Sequence, residues 1–115
     1  MTTDQKLGQQ ERQVLRFLKA TAKGFRHYLA HRQESITAIM EFTRQKNQEL
    51  ATRVYDNHMQ TVARDGTIPE RLQLTVIDRT KRLVDVTREV RPEEIFNFTY
   101  LRRAGAEVDA SGWKP

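Results

Sequence analysis

The sequence predicts an all-α fold, in which five or six helices form a single segment across residues 1–115. Apolar residues recur at spacings of three and four in several stretches, as they do along one face of a helix. No stretch alternates apolar and polar residues in the manner of a half-buried strand, and glycine, proline or asparagine separates the helical stretches. With 37% hydrophobic and 30% charged residues, the chain has enough apolar side chain for one modest core.

The strongest amphipathic stretch runs from Glu11 to His31. Its apolar face consists of Val14, Phe17, Leu18, Thr21, Phe25, Tyr28 and Leu29. We expect the aromatic rings of this face to pack on the other helices or on a second copy of the chain. Ala20 and Gly24 lie one turn apart, and because small side chains permit close contact, another helix is expected to approach most closely there.

Turn and capping residues divide the rest of the chain into helices. The predicted helices are Gln33–Arg44, Gln48–Ala63, Pro69–Val84 and Thr99–Val108, with a helical turn at Pro92–Asn97 and an extended connector at Thr87–Val90. Asn47 and Thr99 are predicted N-caps, and Asp65–Thr67 is the sharpest turn. Near the N-terminus, Asp4 is expected to cap a short turn and Gly8 to end it before the long helix.

The bulk composition excludes several kinds of site. Because there is no cysteine, the chain holds no disulfide, no zinc–thiolate centre and no catalytic thiol. The net charge is +5, but the basic residues are interleaved with 15 acidic ones, which makes charge weak evidence for a nucleic-acid partner. The first ten residues have no signal-peptide pattern, so this chain by itself is expected to be cytoplasmic, and no apolar run is long enough for membrane insertion.

Few residues are spaced for chemistry. His27 and His31 are four apart, which is a metal-ligand spacing on a helix, but no Glu follows the first His as in the zinc-protease motif. A third ligand would have to come from elsewhere, so we interpret both as surface groups near a helix end and predict no metal site. Glu93 and Glu94 are adjacent, which suits a helix N-terminus better than a catalytic pair. We therefore predict no enzyme, no catalytic residue and no cofactor.

The chain resembles the C-terminal part of an ABC-transporter substrate-binding protein. The similar blocks occur in the same order in both and lie at residues 17–40, 49–69 and 90–115, together with the helix between the last two. The family is the nitrate/sulfonate/taurine type, which includes thiamine-precursor-binding relatives. The matching features are Ala20, Thr21 and Gly24, the Tyr55-Asp56 pair, Asp65-Gly66 and the closing Ser111–Pro115. One departure is Asn97, where the family pattern has Asp.

The resemblance implies a function that needs more than this chain. Family members are exported, two-lobed α/β proteins that bind a small solute between their lobes and present it to a membrane permease in the periplasm. The chain would be the C-terminal helical layer that covers a sheet, and its partner would be the missing N-terminal lobes. The ligand-contacting residues of the family lie mostly on loops of its N-terminal and middle regions, so no ligand-binding residue is assigned here and those of this segment stay unknown. The chain alone is not expected to bind solute.

Two other functions are weighed against this one. Helices that normally cover a sheet would expose apolar patches without it, which favours a self-associating helical module. The helices on either side of Gly66 could form a helix-turn-helix unit of a basic DNA-binding protein. However, Glu70 and Asp78 interrupt the basic residues of the second helix, which is more typical of a solvated charged face, and no nucleic-acid partner is expected.

Overall fold

The structure is a computed structural model and describes residues 3–115. Within this range every regular element is a helix, which confirms the all-helical prediction. The described residues form seven helices rather than the five or six predicted, because the N-terminal turn is itself a helix. The helices are α1 (Asp4–Gln9), α2 (Glu11–Ala30), α3 (Arg32–Thr43), α4 (Gln48–Thr61), α5 (Glu70–Leu83), α6 (Pro92–Ile95) and α7 (Thr99–Ala110). None of these helices is long and apolar enough to cross a bilayer.

The N-terminal region is more helical than the sequence predicts. Thr3, rather than Asp4, caps α1, because its hydroxyl oxygen accepts the backbone N–H of Lys6 at 3.2 Å. Gly8 lies inside α1 and does not end it. The break falls instead at Gln10, which has non-helical dihedral angles and separates α1 from α2.

Most predicted helix boundaries and turns are confirmed to within two residues. The Asn47 side chain caps α4 by accepting the Leu50 N–H at 3.1 Å. Gly66 has φ +73°, and the preceding Asp65 side chain accepts the N–H of Thr67 at 3.0 Å. The prediction that Thr99 caps the last helix is wrong. Thr99 is the first residue of α7, and its own N–H donates to the Asn97 side chain at 3.0 Å.

A single residue, His31, separates α2 from α3. The break frees the carbonyl of Tyr28, which accepts two side-chain hydroxyls instead of a helical N–H. Ser35 donates to it from α3 at 3.0 Å, and Tyr55 donates from α4 at 3.1 Å. Since a carbonyl that is partly withdrawn from water needs donors, these two hydroxyls stabilise the break and join it to α4.

The buried side chains form two small groups rather than one core. In the first, Ile36, Ala51 and Tyr55 pack together between α3 and α4, with Tyr28 against them. In the second, α2 packs along α7, and the buried residues of this pair are Leu15, Ala104 and Val108. Helix α5 packs mainly on the short α6 and contributes only Ile77 to the buried set.

The arrangement of these helices is open. The radius of gyration is 17.1 Å, whereas a compact chain of this length has about 13 Å. The accessible surface is 9346 Å², against about 6,500 Å² for a compact monomer of this mass. Much apolar surface that a globular domain would bury is therefore in contact with solvent.

Candidate interaction surface

Helix α2 packs on α7 through a side that the predicted apolar face does not include. Leu15 is buried beside α7, and Lys19 and Arg26 secure the contact through ion pairs of 2.8 Å to Glu107 and 2.6 Å to Asp109. These three residues of α2 recur at spacings of four and seven, so they share one side of the helix. This side of α2 therefore combines a buried apolar side chain with two partly exposed cations.

The predicted apolar face of α2 is covered only in part. The expectation that its aromatic rings pack on other helices is confirmed for Tyr28, whose ring centroid is 5.0 Å from that of Tyr55. Phe17 is 70% exposed and does not pack on another helix of this chain, so for this ring the alternative, a second copy of the chain, stays a prediction. Phe17 is two residues from Leu15, a rotation of about 200° around the helix, so its side chain lies on the opposite side of α2 from Leu15.

The predicted close approach at Ala20 and Gly24 is also wrong. Ala20 is exposed, and a Cβ added to Gly24 would have no heavy atom within 4 Å. The small residues that permit close packing lie on the other helix of the pair. Ala104 is fully buried on α7, and the carbonyl of Gly105 accepts the Arg26 guanidinium at 3.4 Å. The sequence shows that two small residues of α2 share a face. It does not show which helix of the α2–α7 pair supplies the small residues at their contact.

An open groove lies between the N-terminal part of α2 and the C-terminal helices, and we call it the apolar groove. Side chains from α1, α2, α6, α7 and the loop between the last two line it. Its apolar lining includes Leu7, Val14, Phe17, Ile95, Phe98 and Leu101. The Phe96 and Phe98 rings stack beside it with centroids 6.2 Å apart, so one side of the groove is aromatic.

Charged residues form the rim of the apolar groove. Asp4 and Lys6 lie at the α1 end, and Glu93 and Glu94 lie at the start of α6. The backbone N–H of Arg91 at 2.9 Å and the Arg88 guanidinium at 2.9 Å lower the pKa of the Glu94 carboxyl. Glu94 thus ties the loop before α6 to the helix in a capping arrangement, in agreement with the interpretation of the two glutamates as helix N-terminal residues.

Helix α5 carries a second exposed apolar surface, which we call the α5 strip. Leu72, Val76 and Leu83 follow one another along one side of the helix and are 47%, 48% and 78% exposed. Exposed Val84 continues the strip beyond the helix end. Single exposed apolar residues are common on protein surfaces, but a row of them along one helix face marks a surface that another element covers.

The helices on either side of Gly66 do not form a helix-turn-helix unit. Helix α4 packs on α3, and α5 packs on α6. A recognition helix needs the preceding helix packed against it to set its position in the groove of DNA. The Asp78 carboxylate also pairs with Arg82 at 2.7 Å on the exposed side of α5, which leaves this helix with a mixed charge.

The two histidines of α2 meet a third potential ligand across the helix break. Nε2 of His27 is 3.0 Å from Oε2 of Glu34, and Nδ1 of His31 is 3.8 Å from Oε1 of the same carboxylate. The two imidazole rings stack with centroids 4.1 Å apart. Sequence reasoning missed Glu34, although its spacing of three from His31 and seven from His27 is the spacing of residues that share a helical face.

Comparisons with protein-family models, with curated proteins and with solved structures found no match to this chain.

Proposed function

We propose that the chain is the C-terminal helical segment of an ABC-transporter substrate-binding protein for small solutes of the nitrate, sulfonate, taurine or thiamine-precursor kind. In this role the segment is a structural layer. It supplies the helices that cover a sheet of one lobe, while the ligand cleft is formed by other parts of the protein. The observation that carries the proposal is the pair of uncovered apolar surfaces, the apolar groove and the α5 strip.

The position of these surfaces suits a covering layer. The groove presents Phe17 from α2 and Phe98 from the loop before α7, and rings of this size lose contact with water only when another element covers them. A sheet face is itself apolar and packs on helices in two-layer architectures. Among residues 3–115 no strand fills that role, which supports a covering element from another part of the protein or from another chain.

The amount of exposed surface supports the same conclusion. The chain exposes about 2,800 Å² more than a compact monomer of its mass. Each partner of a standard protein–protein interface contributes only about 800 Å². The size of the excess supports a segment whose helices are covered by a neighbouring body.

Co-expression tests the proposal. The chain would be produced together with the N-terminal lobes of nitrate, sulfonate or taurine-type binding proteins, each truncated before its C-terminal helical segment. We expect a one-to-one complex that copurifies with the chain and has a smaller accessible surface than the two parts. If the lobes of none of several family members bind the chain, the proposal is wrong.

Two phenylalanine variants provide a matched control for that experiment. Phe17→Asp places a carboxylate in the apolar groove and should abolish the complex, because the charge would lose its water on association. Phe42 is 93% exposed on α3 and does not line the groove. Phe42→Asp should therefore leave the complex intact, and equal effects of the two substitutions would argue against a specific surface.

Calorimetry addresses the role of the segment within the family. Titration of the chain alone with nitrate, taurine, alkanesulfonates and pyrimidine precursors should give no saturable heat, since an open surface cannot enclose a small solute. Saturable micromolar binding would show that the segment carries a ligand site of its own.

The exposed apolar surface also supports a second candidate function, a self-associating helical module. Two copies could cover each other's apolar grooves in a symmetric dimer. Light scattering over a range of protein concentrations distinguishes the candidates. A dimer that Phe17→Asp dissociates would favour the module, whereas a monomer that binds the family lobes would favour the transporter segment.

A further inference from the structure

We propose that His27, His31 and Glu34 bind one divalent transition-metal ion, such as Zn²⁺, at the break between α2 and α3. This inference is independent of the proposed function, since it rests only on the geometry of three side chains. One ligand atom from each residue lies within 4.8 Å of the other two.

The distances between the donor atoms are close to those of a coordinated ion. Two ligands bound to zinc at about 2.0–2.1 Å in a tetrahedral arrangement are separated by roughly 3.3 Å. The His27 nitrogen lies 3.0 Å and the His31 nitrogen 3.8 Å from the carboxylate oxygens of Glu34, one below and one above that value. Formation of the site requires the two imidazole rings to rotate out of their stack, so that one nitrogen of each ring faces the same ion.

The helix break brings the three ligands together. His27 and His31 lie one turn apart at the end of α2, and their nearly parallel rings, inclined by 24°, are held one above the other. Glu34 lies in the first turn of α3, where its carboxylate reaches back towards both rings. Ser35, in the same turn, is buried and donates to the Tyr28 carbonyl, so the backbone that carries Glu34 is fixed relative to α2.

The cation nearest to Glu34 in sequence is already paired. Arg32 lies two residues from Glu34, but its guanidinium binds both carboxylate oxygens of Asp56 on α4 at 2.9–3.0 Å. That pair directs Arg32 towards α4 and leaves the Glu34 carboxylate facing the imidazoles. The carboxylate therefore remains available as an anionic ligand.

The donor set determines the class of metal. Two imidazole nitrogens and one carboxylate oxygen suit zinc and the neighbouring late transition metals, whereas calcium and magnesium prefer sets made of oxygen alone. The three side chains are exposed or half-buried, so water can occupy the remaining coordination positions. A bound ion would also join the end of α2 to the start of α3 and stabilise the break.

Titration calorimetry with zinc chloride, on protein from which any affinity tag has been removed, tests the inference. We expect one zinc ion per chain. His27→Ala and His31→Ala should each weaken binding by about tenfold or more, and Glu34→Gln should weaken it while keeping the size of the side chain. The helical circular dichroism of each variant reports whether it remains folded.

The matched controls come from the same part of the molecule. His58→Ala removes the only other histidine, and Glu41→Gln removes a carboxylate elsewhere on α3. Both should retain one-to-one binding. The inference is wrong if the wild-type chain shows no saturable zinc binding, or if His58→Ala weakens binding as much as His31→Ala.

A measurement on the unaltered chain covers the case in which a variant does not fold. Zinc added to the wild-type protein should shift the imidazole NMR resonances of His27 and His31 at substoichiometric amounts and leave those of His58 in place. Equal shifts of all three histidines would show non-specific association and overturn the proposal.

Discussion

Tyr28 joins the helix break to the α3–α4 core. Its carbonyl accepts the hydroxyls of Ser35 and Tyr55, its ring packs on the Tyr55 ring, and its hydroxyl lies 3.0 Å from Nδ1 of His58. Among residues 3–115, Ser35 is the one buried polar residue. The break and this core therefore depend on a few hydrogen bonds that meet at one backbone carbonyl.

A double-mutant cycle tests this dependence. Tyr55→Phe and Ser35→Ala each remove one donor and should each lower the free energy of unfolding by about 1 kcal/mol, because the other hydroxyl still satisfies the carbonyl. The double variant should lose more than the sum, since the partly buried carbonyl then has no donor from the protein. Urea unfolding of the four proteins measures these differences, and strictly additive losses would contradict the shared role of the two hydroxyls.

Glu107 makes the α2–α7 contact sensitive to acid. Its hydrogen bond and ion pair with Lys19 at 2.8 Å lower the pKa of the carboxyl below its ordinary value of 4.5. A lowered pKa in the folded state means that the contribution to stability is complete above pH 4.5 and is lost as the pH falls through the lower folded value.

The Glu107→Gln variant isolates that contribution. Thermal melts at about pH 7 and about pH 3 should show a smaller loss of stability on acidification for the variant than for the wild type. The control is Glu89→Gln. The backbone carbonyl of Glu89 accepts the Arg88 guanidinium at 2.9 Å, and the substitution leaves this carbonyl in place. This control should keep the wild-type acid dependence. An unchanged acid dependence in Glu107→Gln would show that the Lys19 contact does not stabilise the fold.

At the scale of helices, local signals in the sequence specify where the elements lie but not how they pair. The spacing of apolar residues and the turn at Asp65–Thr67 locate the main helices, because these signals depend on neighbours within a few positions. The contact between α2 and α7 joins residues that are distant in sequence, and nothing in the spacing within either helix specifies it. For the same reason the sequence favours Gly24 as a helix contact, although the small buried residue at the contact is Ala104 of α7.

Gly24→Ala tests the corrected position of that contact. Gly24 lies inside α2 with open space where a methyl group would stand, so alanine should raise the free energy of unfolding by about 1 kcal/mol through helix propensity alone. Chemical denaturation measures the change. A loss of stability would show that another element does pack against this position.

Gly66→Ala is the opposite case. Gly66 has φ +73°, which is strained for any residue with a side chain, and an added Cβ would lie 3.3 Å from a methyl group of Leu101. The same denaturation experiment should show a loss of about 1 kcal/mol or more. Equal effects of alanine at Gly24 and Gly66 would contradict the different environments described for the two glycines.

At the scale of the whole molecule, the central feature is an incomplete core. That some amphipathic faces lack a covering element follows only from the resemblance to a substrate-binding protein, whereas the sequence predicts the faces themselves. It does not specify which faces are uncovered, since only the position of α7 decides that Leu15 is buried while Phe17, on the other side of α2, is exposed. Prediction of the proposed zinc site from sequence is limited in the same way. The Glu34 carboxylate reaches the two imidazoles only because of the geometry of the helix break at His31.

Amide hydrogen exchange most directly tests the claim that another part of a binding protein covers the exposed surfaces. Exchange in the chain alone would be compared with exchange in its complex with the N-terminal lobes of a family member. We predict that amides of α5 and α7, beside the α5 strip and the apolar groove, become more protected in the complex, while those of α4 change little. Unchanged exchange in α5 and α7 within a formed complex would contradict the account.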